Sequence, residues 1–330
     1  MEVDLTKHKV PEAGRGTCFL CGKEMDAADL GQEHVFAKWL QRRFALWDRE
    51  LVLLNGTRIP YRNLKIPACA PCNNISLSDV ENKVARALSG GAKEVRSLGH
   101  EILYLWLAKL FFGILYAESL LPMNRAAQNE GPILGSATLE GFRFMHFMMQ
   151  AARTKMIFSS QETHFHSSVL VFPLQEHPDS TKHFMYRDDI ENGCIAVRLN
   201  SVGLICATDG GAQERLAEEV FPKLFQHVLH PLQFEEVTAK VFMKARSMTR
   251  TAKYISAHSK DETRIIQMPL GGLSEKPIFK DYDHELYAHM LAAFTEHPLE
   301  LIWPGDGSVQ TWIRSYDEPH FIDIRQHPWP

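Results

Sequence analysis

The chain has 330 residues, enough for two domains or one large one; 45% are hydrophobic and 23% charged, ordinary globular values that exclude global disorder. The 36 Lys and Arg against 40 Asp and Glu give a net charge of −4, which excludes a uniformly basic nucleic-acid coat but leaves room for a local basic groove. Six cysteines are too few for a disulfide scaffold, and the opening MEVDLTKHKV carries no apolar stretch of a signal peptide, so a cytoplasmic location is expected.

In chain order, Phe36–Trp47 reads as an amphipathic helix, with Leu40, Phe44 and Trp47 on one face and Lys38, Arg42 and Arg43 near solvent. Leu51–Leu54 and Arg58–Tyr61 flank Asn55-Gly56, a strong signal for a β-hairpin. Ser78-x-x-Glu81 caps or lies within the next helix, which ends near Ser89-Gly90-Gly91. Composition changes there, and it divides the chain into a cysteine-bearing module, 1–97, and a larger α+β domain, 98–330. Ile102 to Leu121 is long and apolar but holds Lys109 and Glu118, with Glu101 and Arg125 at its edges. Placing Lys109 near a bilayer centre would cost roughly 2.5–3.5 kcal/mol, so a buried helix and no membrane are expected.

A further helix spans Leu139–Arg153. Period-two patterns then predict strands at Ser167–Leu174, Lys182–Arg187, Cys194–Leu199 and Val202–Thr208, with a tight turn at Asn200-Ser201. Helical periodicity returns at Ala212–His227, Glu235–Ser247 and Asp283–His297. His164 and His166 share one side of a predicted strand; without a third ligand nearby they read as strand histidines. Ala207–Gly211 reads as a strand-to-helix turn. The 98–330 segment carries no phosphate-binding loop, nucleophile elbow or dinucleotide fingerprint.

The chemistry-bearing signal is the pair Cys18-x-x-Cys21 and Cys69-x-x-Cys72, separated by 47 residues. Two thiolate pairs on tight turns can supply the tetrahedral sulfur set of a structural zinc ion; the competing reading is a redox pair. Cys194 and Cys206 lack partners at ligand spacing and read as small buried residues. Between the pairs, residues 35–65 hold seven Lys or Arg (Lys38, Arg42, Arg43, Arg49, Arg58, Arg62, Lys65) against Asp48 and Glu50, a local charge of +5. Such a patch attracts phosphate backbones, although a solvated helix face with hairpin charges has the same composition.

As a set, Cys18, Cys21, Glu33, His34, Asn63, Cys69, Cys72 and Asn73 resemble the zinc-knuckle branch of the HNH, or ββα-metal, endonucleases of bacterial type, over about residues 17–88. The resemblance implies a small zinc-stapled ββα-metal nuclease module ahead of the α+β domain with its antiparallel sheet. It assigns His34 as general base, Glu33 and Asn73 (or the adjacent Asn74) as ligands of a catalytic Mg²⁺ or Mn²⁺, and Asn63 as support for the loop carrying the base. Two departures stand out: Glu33 replaces the commoner Asp, and Asn73 replaces the familiar final His. The first lengthens the reach to the metal by one methylene, and the second leaves an oxygen-rich site suited to a hard cation.

The expected function is therefore metal-dependent endonucleolytic cleavage of DNA, in a defence role against invading DNA by resemblance. Lys38, Arg42, Arg43, Arg58, Arg62 and Lys65 are the expected DNA-binding residues. The alternative is a non-catalytic zinc-knuckle module that binds nucleic acid or protein. A protein partner or small-molecule activator acting through 98–330, and self-association, complete the partner expectations.

Overall fold

The computed structural model describes residues 8–26, 31–124, 126–215, 224–259, 262–271, 276–305, 307–313 and 321–327. The leader reading over 1–7, Arg125 and positions 216–223 of the expected helix at Ala212–His227 lie outside the described residues. The chain is α+β with antiparallel sheets. It folds as two compact units, Met1–Ser89 with Leu98–Ile157 and Ser256–Ile265, and Gly90–Ser97 with Phe158–Ile255 and Ile266–Pro330. Composition placed the boundary at 97, but the packing assigns the next sixty residues to the cysteine-bearing unit.

In the first unit, β1 (Gln32–His34) pairs antiparallel with β4 (Lys65–Pro67), with Glu33 opposite Ile66 and His34 opposite Lys65. Between them come α1 (Lys38–Arg43) and the hairpin β2 (Glu50–Val52) and β3 (Arg58–Pro60). The hairpin turn uses Gly56 at φ +77°, the left-handed conformation that favours Asn-Gly there. Helix α1 stops at Arg43, and Ala45 reverses the chain at φ +50°. Leu40 and Phe44 are consequently buried, whereas Trp47, expected on the same face, is 45% exposed. After the second cysteine pair a π-helical turn, Cys72–Leu77, runs directly into α2 (Ser78–Ala87).

Helix α3 (Gly91–Ser97) belongs to the second unit. The first unit resumes with α4 (Gly99–Leu120), its central element, in which every residue from Leu103 to Glu118 is buried. Of the apolar window that is long enough to cross a membrane, 89% lies inside the protein, so α4 is a core helix. Gly113 lets it approach the strands, since a Cβ there would sit 3.2–3.3 Å from side-chain carbons of Val35 and Ile66. The expected single helix at Leu139–Arg153 is instead α5 (Ser136–Gly141), α6 (Arg143–Met148) and a 3₁₀ turn over Met149–Ala152. The break falls at Phe142, whose φ −96° and ψ 21° leave helical geometry just after Gly141. Strand β5 (Met156–Ser159) follows.

The second unit is organised around an antiparallel sheet of β6 (Ser168–Pro173), β7 (Phe184–Asp189), β8 (Cys194–Leu199) and β9 (Val202–Ala207), in the order β6-β9-β8-β7. Asn200, at φ +57°, makes the tight turn that joins β8 to β9. Strands β8 and β9 are buried along their whole length, rather than on alternate residues as a period-two pattern expects, because both lie inside the sheet with neighbours on either side. Cys194 and Cys206 are buried small residues there. Helix α7 (Pro231–Arg246) covers the sheet through Phe234, Val237, Val241 and Phe242. Strands β10 (Tyr254–His258) and β11 (Thr263–Gln267), which fall mostly in the first unit, form a three-stranded sheet with β5 in the order β10-β11-β5, and the second unit continues with α8 (His284–Thr295) and α9 (Leu299–Ile302). His164 and His166 lie ahead of β6 rather than on a strand, the first exposed and the second buried. The Ala207–Gly211 segment is a strand-to-helix turn: the Asp209 carboxylate accepts from Ser168 N, Ser168 Oγ, Gly211 N and Gln213 N at 2.9–3.0 Å.

Two predictions follow from this packing. A Cβ at Gly203 would lie 2.7 Å from ring carbons of Phe234, so Gly203→Ala should lower stability by about 1–3 kcal/mol, read as a lower urea midpoint. Burial also lowers the imidazole pKa of His166 to about 3 from its ordinary 6.5. The unfolded chain therefore accepts a proton that the folded one refuses, and stability that is full above about pH 6.5 is lost as pH falls towards 3, by at most about 1.4 kcal/mol per pH unit for this residue. The urea midpoint should fall less steeply between pH 7 and pH 4 in His166→Asn than in the wild type; parallel curves would show that His166 does not contribute.

Candidate functional site

The sulfur atoms of Cys18, Cys21, Cys69 and Cys72 all lie within 4.8 Å of one another. A tetrahedral ion with metal–sulfur bonds of about 2.3 Å puts its sulfurs about 3.8 Å apart, and Cys21 Sγ to Cys69 Sγ is 3.7 Å. The cluster therefore suits a metal such as zinc. Each turn is shaped locally. Gly22, at φ +72°, donates its N–H to Cys18 O at 2.9 Å, and Asn73 N donates to Cys69 O at 2.9 Å. Phe19 N bonds Pro67 O at 2.9 Å, which ties the first turn to the end of β4. From the other side Gln150 Nε2 donates to Leu20 O at 2.8 Å, and His146 Nε2 meets Phe19 O at 2.9 Å. A hydrogen bond from the Cys72 thiol brings the Cys18 thiol down to about 4, while its thiolate pushes Cys72 up.

His34 ends β1 with 8% of its surface exposed. Burial, then the charges of Lys65, Lys38 and Lys109, hold its imidazole down at about 4, so it is neutral at pH 7 and able to accept a proton. The ring of Trp47 lies 6.4 Å away, centroid to centroid. Glu33 precedes it on the strand, where successive side chains leave on opposite faces. Its Oε1 is 2.7 Å from Lys109 Nζ, on α4. Asn73 is half-buried in the π-helical turn, and its Nδ2 lies 3.5 Å from Gln32 O, while Asn74 is exposed. Of the two, Asn73 is the one held against β1. Asn63 is exposed at the end of the 3₁₀ turn Tyr61–Asn63, just ahead of β4.

The residues expected around a hard divalent cation thus come from β1 and from the turn that leads into α2. The donor chemistry fits such an ion, since Mg²⁺ takes few protein oxygens and fills its shell with water and phosphate. Within Glu33, however, Oε1 is engaged by Lys109, so Oε2 is the oxygen left to offer.

Lys38, Arg42, Arg43, Arg58 and Lys65 are exposed. Arg43 Nη1 donates to Ser89 Oγ at 3.3 Å. Arg62 is half-buried and committed locally, donating to Trp47 O at 3.0 Å and pairing with Asp48. Two of the exposed lysines, Lys38 and Lys65, act with burial to lower the imidazole pKa of His34.

The features missed at the sequence level are Lys109 and Glu81. Lys109 is 1% exposed, and its ammonium donates to His34 O at 2.7 Å, Val35 O at 2.9 Å and Glu81 Oε1 at 3.1 Å, besides its pair with Glu33. Glu81 Oε2 accepts from Trp39 Nε1 at 2.5 Å and Trp106 Nε1 at 3.2 Å. The one available signal was a lysine interrupting an apolar helix, which demands a buried acid as partner.

No family model, curated protein or solved structure matches this chain.

If the four sulfurs hold zinc, elemental analysis should find about one zinc per chain, and Cys72→Ser should lower both that content and the melting temperature of the first unit, because metal binding is folding free energy here. Unchanged zinc content in the variant would refute a four-cysteine site.

Proposed function

We propose that this chain is a metal-dependent endonuclease of the HNH type, acting on the phosphodiester bonds of DNA. The observation that carries the reading is the strand–strand–helix unit of β1, β4 and α2. Glu33 and His34 stand on β1, Asn73 Nδ2 lies 3.5 Å from Gln32 O of the same strand, and the four-cysteine cluster brackets the unit. A bound Mg²⁺ or Mn²⁺ would stabilise the charge that develops on the phosphate and the leaving 3′-oxygen. Glu33, through Oε2, and Asn73 are the side chains to hold it. Neutral His34 takes the proton from the attacking water. Its low basicity is set by burial and the surrounding cations, and a phosphate dianion or diester seated among Lys38 and Lys65 offsets those cations and raises that basicity. Lys38, Arg42, Arg43, Arg58 and Lys65 seat the backbone without reading sequence. The zinc is structural in this scheme.

A second reading, a module that binds nucleic acid without cutting it, is favoured by the burial of His34 and by the engagement of Glu33 Oε1 with Lys109. Nicking of supercoiled plasmid separates the two. With Mg²⁺ or Mn²⁺ the wild-type chain should convert supercoiled to open-circular DNA, EDTA should stop it, and His34→Ala should slow it by about 10²–10⁴-fold with zinc content retained. Binding of DNA without any cleavage would establish the second reading, and equal cleavage by the variant would remove His34 as the base.

A further inference from the structure

Lys109 is the most constrained charge near the candidate site. It stands on α4 among aromatic and aliphatic side chains, 1% exposed. Its ammonium touches three consecutive residues of the β1 end: the Glu33 carboxylate and the His34 and Val35 carbonyls, at 2.7, 2.7 and 2.9 Å. A methionine or leucine would occupy the same space without the cost of desolvating an ammonium; what the lysine adds is its grip on that segment. The grip is itself fixed. Glu81, on α2, meets the ammonium through Oε1 while both indole N–H groups of Trp39 and Trp106 hold its Oε2. Trp39 sits in α1 between Lys38 and the arginines of the basic face. One buried array thus links α1, β1, α2 and α4.

We infer that Lys109 is the positioning residue of the proposed site: by taking Oε1 of Glu33 it restricts that carboxylate to a single-oxygen contact with a divalent cation, and by binding the His34 and Val35 carbonyls it fixes the strand end that presents the imidazole. The inference rests on the nuclease reading and adds a direction to it. A residue that serves only to hold the fold would, when lost, weaken cation binding and cleavage together. A lysine that competes with the cation for Glu33 does the opposite to each: its loss returns the second oxygen and a full negative charge to the cation, while the base loses its register.

The test uses the full-length, zinc-loaded chain, with Mn²⁺ as the probe in titration calorimetry without DNA and plasmid nicking as the kinetic readout. For Lys109→Met, Mn²⁺ should bind about fivefold more tightly. The kcat for nicking should fall about 10- to 100-fold, the range for outer-sphere partners of a metal site, with KM for plasmid unchanged. Weaker or unchanged Mn²⁺ binding, or unchanged kcat, overturns the inference. Should Lys109→Met fail to fold, Glu81→Gln decides the matter. It keeps an oxygen for the two indoles but leaves Glu33 as the ammonium's only anion, so Mn²⁺ should bind about threefold more weakly; equal or tighter binding overturns the inference. A wild-type chain that neither binds Mn²⁺ nor nicks DNA removes the nuclease reading and this inference with it, whereas wild-type activity with an unaltered Lys109→Met profile removes this inference alone.

Discussion

Two turns separated by 47 residues in the chain meet at four sulfur atoms, and the arrangement of the first unit follows from that meeting. Strands β1 and β4 are three residues each, too short for a two-stranded pair to persist in water by itself. They are held because Phe19 N binds Pro67 O next to one turn and Asn73, beginning the helical segment after the other, lies against Gln32. Helix α1 and the β2–β3 hairpin occur inside the loop that the sulfurs close. A metal bound there would act on the whole segment, because the ligand positions bracket it.

The second constraint is electrostatic. The first unit places one lysine wholly inside and leaves several basic side chains outside, and the two sets act on the same imidazole. Burial would by itself push the Lys109 ammonium down, yet Glu81 and Glu33 outweigh it and hold it above its ordinary range. It therefore stays charged, paired with buried Glu81 and half-buried Glu33. Burial first, and then Lys65 and Lys38 outside and Lys109 inside, hold the imidazole of His34 below its ordinary range.

The second unit shows a different economy. Among its polar groups, Asp209 collects four donors at the β6 end, and Arg187 is matched to Glu235 at 2.9 Å. Those bonds stabilise turns and layer contacts.

Local pattern was sufficient for many elements. Asn55-Gly56 specified a hairpin because a left-handed turn has few sequence solutions; Val202–Ala207 specified a strand because β-branched runs fit a buried pleat; the paired cysteines marked a metal-type cluster because tight turns are how such ligands converge. Glu33, His34 and Asn73 stand out as a motif in the sequence alone, since they sit at short chain distances from the cysteines. What the sequence left open was decided by packing between distant segments. The unit boundary moved past 97 because α4 supplies the surface that β1 and β4 need, a demand no composition change records. Trp47 turned outward because Ala45 reverses the chain, which periodicity does not register. Lys109 read as an interruption in an apolar run, and only the fold brought it to Glu33 and Glu81, some thirty to seventy-five positions away, where a buried charge finds the partners it cannot do without.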